Sequence, residues 1–317
     1  MKTVQMDLPS IRGRHITVVE VGPRDGLQNE RVSVPTADKI AFVDRLSAAN
    51  LPVIEVTAFV SPTWVPQMAD AAAVFAGIAR KPGLRYTALV PNLAGLERAV
   101  EAGVREIAVF ASATETFSRK NINLSIDESL AGYKLVCERA AAFGLRVRAY
   151  VSTAFGCPYE GDVAPEKAAD VAARLIALGA FEVAISDTIG TAHPGQVPRV
   201  LDAVLARVPL DQVALHFHDT RGTALANVLA ALPYGVSTFD ASAGGLGGCP
   251  YAPGAAGNLA TEDLVYMLNG LGAETGVSLE ALTEASAFIA ARLDHPLPSR
   301  YAQSAAARRK LKLKSEN

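Results

Sequence analysis

The sequence predicts an α/β fold, a (β/α)8 TIM barrel with an extra C-terminal helix. Three observations carry that prediction. Short apolar, β-branched runs alternate with longer amphipathic ones, and eight such pairs can be marked along the chain. This alternation is what parallel strands joined by helical crossovers require, and eight units close a barrel without leaving a sheet edge. No Gly-x-Gly-x-x-Gly follows an early strand, which weighs against an open doubly wound sheet.

The first unit pairs a strand at His15 to Val21 with a helix from Thr36 to Asn50. Thr36 offers an N-cap there, and Ile40, Phe42, Val43 and Leu46 make one apolar face. The second unit has its strand at Pro52 to Phe59 and its helix at Gln67 to Arg80; the third has them at Arg85 to Pro91 and Leu93 to Ala102. The fourth strand is Glu106 to Ala111, before a long helix at Ile126 to Phe143. The fifth is Arg146 to Ser152, before a helix at Pro165 to Leu178 whose proline suits a first turn. Phe181 to Ser186 and Gly195 to Arg207 make the sixth unit. The seventh strand, Val213 to Asp219, precedes a helix at Thr223 to Leu232. Ser237 to Ala241 and Glu262 to Leu271 complete the set, and a last helix at Leu279 to Arg292 packs outside. Residues 1–293 thus read as one catalytic barrel and 294–317 as a basic tail.

Composition excludes several function classes. Net charge is −2, so no bulk field recruits nucleic acid or an anionic membrane. The exception is Arg308-Arg309-Lys310-Leu311-Lys312-Leu313-Lys314, which reads as a solvated, frayed terminus. Cys137, Cys157 and Cys249 supply no disulfide framework and fit a reducing compartment. Residues 1–15 lack the apolar core of a signal peptide, and no apolar run approaches the roughly 20 residues of a membrane helix. The expectation is a cytoplasmic protein whose partner is a small molecule, with no nucleic acid and no membrane.

Active sites of such barrels lie where strands end and loops begin. The seventh strand ends in His216-Phe217-His218-Asp219. Side chains alternate along a strand, so both imidazoles face one way. That is half of a metal site or an acid–base pair. Arg24, Asp25 and Gln28 follow the first strand, Glu55 lies on the second, and Asp187 ends the sixth. After the eighth come Gly244-Gly245-Leu246-Gly247-Gly248-Cys249, then Asn258 and Glu262. Taken singly, Arg24 and Glu55 would read as an ion pair and Asp187 as a helix cap; their shared end of the barrel points to a site. Asp25, His216, His218 and Asn258 offer two nitrogens and two oxygens. Mixed imidazole and oxygen ligands suit Mg²⁺ or Mn²⁺, with zinc as an alternative. Arg24 is always charged, so it stabilises an oxyanion and cannot be the base. Glycine at four of the five positions 244–248 makes a segment that can move, a lid that delivers the Cys249 thiol. Cys157, in Gly156-Cys157-Pro158-Tyr159, lacks the glycine run and ranks lower.

From Val18 to Phe288 the chain resembles the hydroxymethylglutaryl-CoA lyase family of the DRE-TIM metallolyases. The most specific pieces are Val21-Gly22-Pro23-Arg24-Asp25-Gly26-Leu27-Gln28-Asn29-Glu30, Phe59-Val60-Ser61-Pro62, Lys120-Asn121-Ile122-Asn123, Gly156-Cys157-Pro158-Tyr159-Glu160-Gly161, and the run Gly245 to Met267. The resemblance implies Asp25, His216, His218 and Asn258 as metal ligands, Arg24 as catalytic arginine and Cys249 as lid cysteine. It implies Glu55, Gln28, Asp187 and Glu262 as other active-site or supporting positions. It implies cleavage of 3-hydroxy-3-methylglutaryl-CoA, an acyl-CoA substrate, to acetyl-CoA and acetoacetate, with a divalent cation and as a homodimer.

Three departures bear on the substrate. Where the family commonly reads Glu-Ala-Thr-Ser-Phe, this chain has Glu55-Val56-Thr57-Ala58-Phe59. Where it commonly reads Ser-Leu-Gly-Asp-Thr, this chain has Ala184-Ile185-Ser186-Asp187-Thr188. Ser242-Ala243-Gly244 stands where Ser-Val-Ala is usual. Lost donors at a substrate mouth redirect specificity, so the same chemistry on another 3-hydroxy-3-alkyl acyl-CoA is the first alternative. A Claisen-condensing relative, usually extended by a further domain, an aldolase acting on a non-CoA acid, and a non-catalytic barrel are the others.

Overall fold

The structure, a computed structural model, describes residues 11–249 and 252–315, and of residues 249, 252–256 and 310–315 the backbone alone. Eight parallel strands close a barrel in chain order: β1 Thr17–Glu20, β2 Val53–Ala58, β3 Arg85–Leu89, β4 Glu106–Ser112, β5 Arg146–Ser152, β6 Glu182–Asp187, β7 Val213–Phe217 and β8 Thr238–Ala241. The crossover helices are α1 Thr36–Ala48, α2 Ala71–Gly77, α3 Leu93–Glu101, α4 Glu115–Ile122, α5 Ile126–Ala142, α6 Pro165–Ala177, α7 Val197–Leu205 and α8 Ala224–Ala231. Then come α9 Thr261–Gly270, α10 Leu279–Ala290 and α11 Arg300–Ser315. The glycine-rich segment after β8 leads into a hairpin, β9 Gly248–Cys249 and β10 Ala252–Ala256.

The predicted units are all present, with local corrections. Thr36 does not cap α1. Pro35 takes that place, and the Thr36 hydroxyl donates instead to Asp70 at 2.7 Å. The second helix is broken, a 3₁₀ turn at Pro66–Met68 preceding α2. The sequence reading had no counterpart to α4, a short polar helix. Its neighbour α5 begins in a capping box, where Ser125 and Glu128 satisfy each other's backbone N–H groups. The basic run Arg308 to Lys314 lies within α11, a helix the sequence reading did not mark, which continues to Ser315. Its start is held by Asp263, which accepts from the backbone N–H groups of Arg300 and Tyr301 and from the Ser299 hydroxyl.

Strand register decides what faces the barrel axis. Ala108, Arg148 and Glu182 are level on β4, β5 and β6, and His216 is level with Asp240 on β8. The fully buried Arg148 donates to Glu182 at 2.6 Å and forks onto Asp240 at 2.8 and 3.2 Å. A buried pair of this kind adds little net stability, but it fixes geometry and is costly to break. On β2 the register slips between Glu55 and Thr57. The slip turns Thr57 outward, where its hydroxyl meets Met68, and turns Ala58 inward beside Leu89.

Candidate active site

The chain leaves β1 in a π-helical turn, Gly22–Gly26, in which the Val21 carbonyl accepts from Arg24, Asp25 and Gly26. Such turns re-aim side chains and recur at functional sites. Here the turn presents Arg24 and Asp25 together. Arg24 Nη1 donates to Asp25 at 2.6 Å, and its Nε and Nη2 donate to Glu55 at 2.7 and 3.3 Å. Glu55, fully buried on β2, also accepts from the Tyr150 hydroxyl. Two guanidinium groups approach the Tyr150 ring, Arg24 at 5.5 Å and Arg148 at 4.9 Å from its centroid. Burial works against the charge on Arg24, but Glu55 and Asp25 outweigh it and hold the guanidinium charged.

His216 and His218 lie on one face of β7 and its continuation, ring centroids 5.1 Å apart. His216 Nδ1 is bound to Asp240 at 3.1 Å, so its Nε2 is the nitrogen left for the site. Asn258 arrives from far along the chain. Residues 257–259 pair with the end of β7, Asp219 N–H donating to Gly257 O and Leu259 N–H to Phe217 O. That pairing sets Asn258 beside His218. The Asn258 amide donates to Asp25 at 2.9 Å and to the Leu246 carbonyl at 3.3 Å.

Asp25, His216 and His218 bring ligand atoms within 4.8 Å of one another. Two buried atoms here, His218 Nδ1 and the Oδ1 of neighbouring Asn258, have no hydrogen-bond partner among the described residues. Buried polar atoms are normally satisfied, so this pair, next to a carboxylate, fits a cation. The charge state fits as well. Burial, and then His216, push His218 down to about 4, so it is neutral at pH 7 with a lone pair to give. Burial alone would raise Asp25, but Arg24 and the two histidines hold it well below the usual carboxylate range.

These residues sit at the inner end of a cavity of about 970 Å³. Arg24, Asp25, Gln28, Tyr150, Ser186, His216 and His218 line its polar end; Val60, Trp64, Pro91, Leu93 and Leu124 line its outer part. Not every predicted site residue reaches it. Asp187 is turned away and accepts from the backbone N–H groups of Thr191 and Ala192, at 2.9 and 3.1 Å. Glu55 touches the site through Arg24. Glu262 lies beneath the glycine-rich segment, accepting from Gly244 N–H at 2.8 Å and from the Ser286 hydroxyl. Cys249 is on β9, and its side chain is outside the described residues. The sequence reading missed Tyr150, Asp240 and Arg148. Alternation could have found two of them: Arg148, Tyr150 and Ser152 share one face of β5.

Burial lifts Glu262 to about 7, above its ordinary 4.5, although Ser286 and Gly244 oppose the rise. A carboxyl raised on folding stabilises most below its unfolded value, and the contribution is lost as pH rises through 7. Melting of the native protein is expected to drop by roughly a few degrees between pH 6 and pH 8.5 through this group. Glu262→Gln should flatten that part of the profile; an equally steep profile in the variant would refute the assignment.

The chain matches the family model described as HMGL-like over residues 15–289. It is 54% identical over 291 residues to the mitochondrial hydroxymethylglutaryl-CoA lyase of Bos taurus, covering 92% of this chain and 90% of that one. The crystal structure of hydroxymethylglutaryl-CoA lyase from Pseudomonas aeruginosa superposes with a TM-score of 0.92 at 52% identity, covering 94% of this chain and 99% of that one. An HMG-CoA lyase from Acinetobacter baumannii, in complex with coenzyme A and 3-methylmalate, superposes with a TM-score of 0.87 at 41% identity, covering 91% and 94%. A closed eight-stranded barrel, a cation-fitting cluster at its mouth and identity above one half along most of the chain agree: this protein belongs to the HMGL-like family.

Proposed function

We propose that this chain is a divalent-metal-dependent carbon–carbon lyase that cleaves 3-hydroxy-3-methylglutaryl-CoA to acetyl-CoA and acetoacetate. One observation carries the reading: Asp25, His216 and His218 converge beside Arg24 in a large cavity whose other walls mix apolar side chains such as Val60, Trp64 and Leu93 with amides such as Asn92 and Asn121. A small oxygen-rich acyl head suits the inner end, and a thioester arm suits the wall leading out. The names of the relatives support the substrate, and the Acinetobacter baumannii complex supports a coenzyme A ester.

Asp25, His216, His218 and Asn258 would hold the cation; Mg²⁺ or Mn²⁺ suits that set and supplies Lewis acidity toward the substrate's tertiary hydroxyl. Arg24 aims its remaining N–H donors at the thioester oxygen, where enolate charge grows as the carbon–carbon bond breaks. A base at the cluster takes the hydroxyl proton: Asp25, through the carboxylate oxygen not given to the cation, or His216, in a state where its Nε2 is not bound to the cation. Cys249 returns a proton to the enolate carbon; a thiol with an ordinary pKa of about 8.5 is mostly protonated at neutral pH and suits a donor. Gln28 contacts the acyl group. Glu55 and Glu262 are supporting residues, the first behind Arg24 and the second under the lid. Asp187 acts through the loop it caps.

A second reading keeps this chemistry and changes the acyl group. Ser186 lines the cavity where the family commonly has glycine, and Ala58 faces inward beside Leu89 where serine is common. Ala184 is level with Tyr150, fully buried below the cavity. A homodimer belongs to the same proposal and is read by sedimentation velocity. So does a cytoplasmic location, which the free thiols of Cys137 and Cys157 support; no helix among the described residues is long and apolar enough to cross a membrane.

The test is product release from 3-hydroxy-3-methylglutaryl-CoA with Mg²⁺, with Mn²⁺ and with EDTA. Equal yields of acetyl-CoA and acetoacetate, abolished by EDTA, are expected. No turnover in metal-loaded protein would move the proposal to other 3-hydroxy-3-alkyl acyl-CoAs. Replacing Cys249 with alanine should cut turnover by about 10²-fold, the scale of a general acid. Full activity in that variant would end the proton-donor role.

A further inference from the structure

We infer that residues 293–299, just past the last residue matched by the family model, form a strap that positions the two active-site loops against each other. The match to the family model ends at residue 289. The strap is anchored at both ends. Before it, Arg292 donates to Asp38 on α1 at 3.0 Å. At its last residue, the Ser299 hydroxyl donates to Asp263 on α9, again at 3.0 Å.

Between these anchors the strap grips both loops. His295 Nε2 meets Glu30 at 2.8 Å. Glu30 closes the loop carrying Arg24, Asp25 and Gln28, and its own N–H donates to the Leu27 carbonyl. The Glu30 side chain is 7% exposed and the His295 side chain 43%, so the contact is buried on the loop side and open on the strap side. On the other side, Leu297 and Pro298 fill the space above Gly244 and Gly245. A Cβ on Gly244 would stand 2.4 Å from Leu297 Cδ1, and one on Gly245 would stand 2.8 Å from Pro298 Cγ. Both glycines have positive φ, +69° and +72°, so the backbone here is shaped to receive the strap. Ser299 N–H donates to the Gly244 carbonyl at 2.9 Å, while Gly244 N–H is held by Glu262. The first glycine of the lid is therefore fixed from both sides.

The fixed point leads directly to the site. Leu246, two residues on, packs where a Cβ on Gly26 would stand, and its carbonyl accepts from Asn258. A segment with glycine at four of five positions holds no pose by itself; the strap supplies the constraint its own side chains cannot. None of residues 293–299 lines the cavity, so they are positioning residues.

The kinetic part of the test rests on the proposed lyase reaction; the exchange part does not. In the full-length protein, Leu297→Ala and His295→Ala are compared with Leu297→Met and His295→Arg. Leu297→Ala is expected to lower kcat by about 10-fold through a displaced lid, with KM and Mn²⁺ affinity within twofold. Leu297→Met should restore kcat. Deuterium uptake at residues 243–248 should rise in Leu297→Ala and return in Leu297→Met. His295→Ala should raise uptake at residues 27–31, with His295→Arg restoring it. Should Leu297→Ala not fold, the exposed His295 variants carry the same comparison. Folded alanine variants with wild-type kcat and unchanged exchange would overturn the strap. A wild-type protein that turns nothing over would overturn the proposed substrate, and the exchange pattern would still decide the strap.

Discussion

Arg24→Gln is expected to lower kcat by about 10²–10³-fold, the usual cost of losing one oxyanion donor, with KM far less affected. Three of the guanidinium's bonds go to Asp25 and Glu55, and the remaining donors face the cavity. Glutamine keeps polarity and loses both the charge and the fork. The substitution also strips Glu55 of its cation, leaving a fully buried carboxylate with the Tyr150 hydroxyl. Removing one partner of a buried pair costs about 3–5 kcal/mol of stability, so a lower Tm accompanies the loss. Turnover must therefore be measured well below that Tm. Metal affinity should fall far less than turnover, because Asp25 loses its bond to Arg24 but all four ligand side chains remain. A folded variant within tenfold of native turnover would sink the oxyanion role. Arg24→Lys should recover little, since an ammonium cannot bond both carboxylates and still reach the cavity.

The second large effect concerns the cation. His218→Ala removes a buried nitrogen that has no partner among the described residues. Altering an outer partner of a metal ligand costs about 10–100-fold in affinity, so deleting the ligand should cost more than that range. Asp240→Asn falls within it. Asp240 accepts from Arg148 and orients His216 through Nδ1, so asparagine disturbs the tautomer and leaves Arg148 short of a partner. Mn²⁺ titration followed by electron paramagnetic resonance reads both without an activity assay. The expected order is native, then Asp240→Asn, then His218→Ala. Native affinity in His218→Ala would remove that residue from the ligand set, and equal loss in both variants would remove the distinction between ligand and orienting partner.

Several features were legible in the sequence because they depend on local periods. The alternation of short apolar runs and amphipathic segments gave eight strand–helix units, since each element must bury one face whatever its neighbours are. The two-residue period of a strand put His216 and His218 on one face. The order of polar residues at strand ends gathered Arg24, Asp25 and both histidines at one mouth.

Other features were settled by contacts between parts of the chain that no local period links. The slip in β2 exchanges Thr57 for Ala58 at the inner face, and it is visible only against β3. Asp187 looked like a site residue from its place at a strand end, yet the following loop folds back and takes both its oxygens. Asn258 reaches the cluster because residues 257–259 pair with β7. Arg148 and Asp240 lie 92 positions apart and meet because β5 and β8 face the same axis. The chain after residue 293 read only as a basic tail. Its apolar Leu297 is instead buried against Gly244, a contact across 53 residues that composition does not encode. Local sequence fixes which face of an element is polar; only barrel closure decides which polar faces meet.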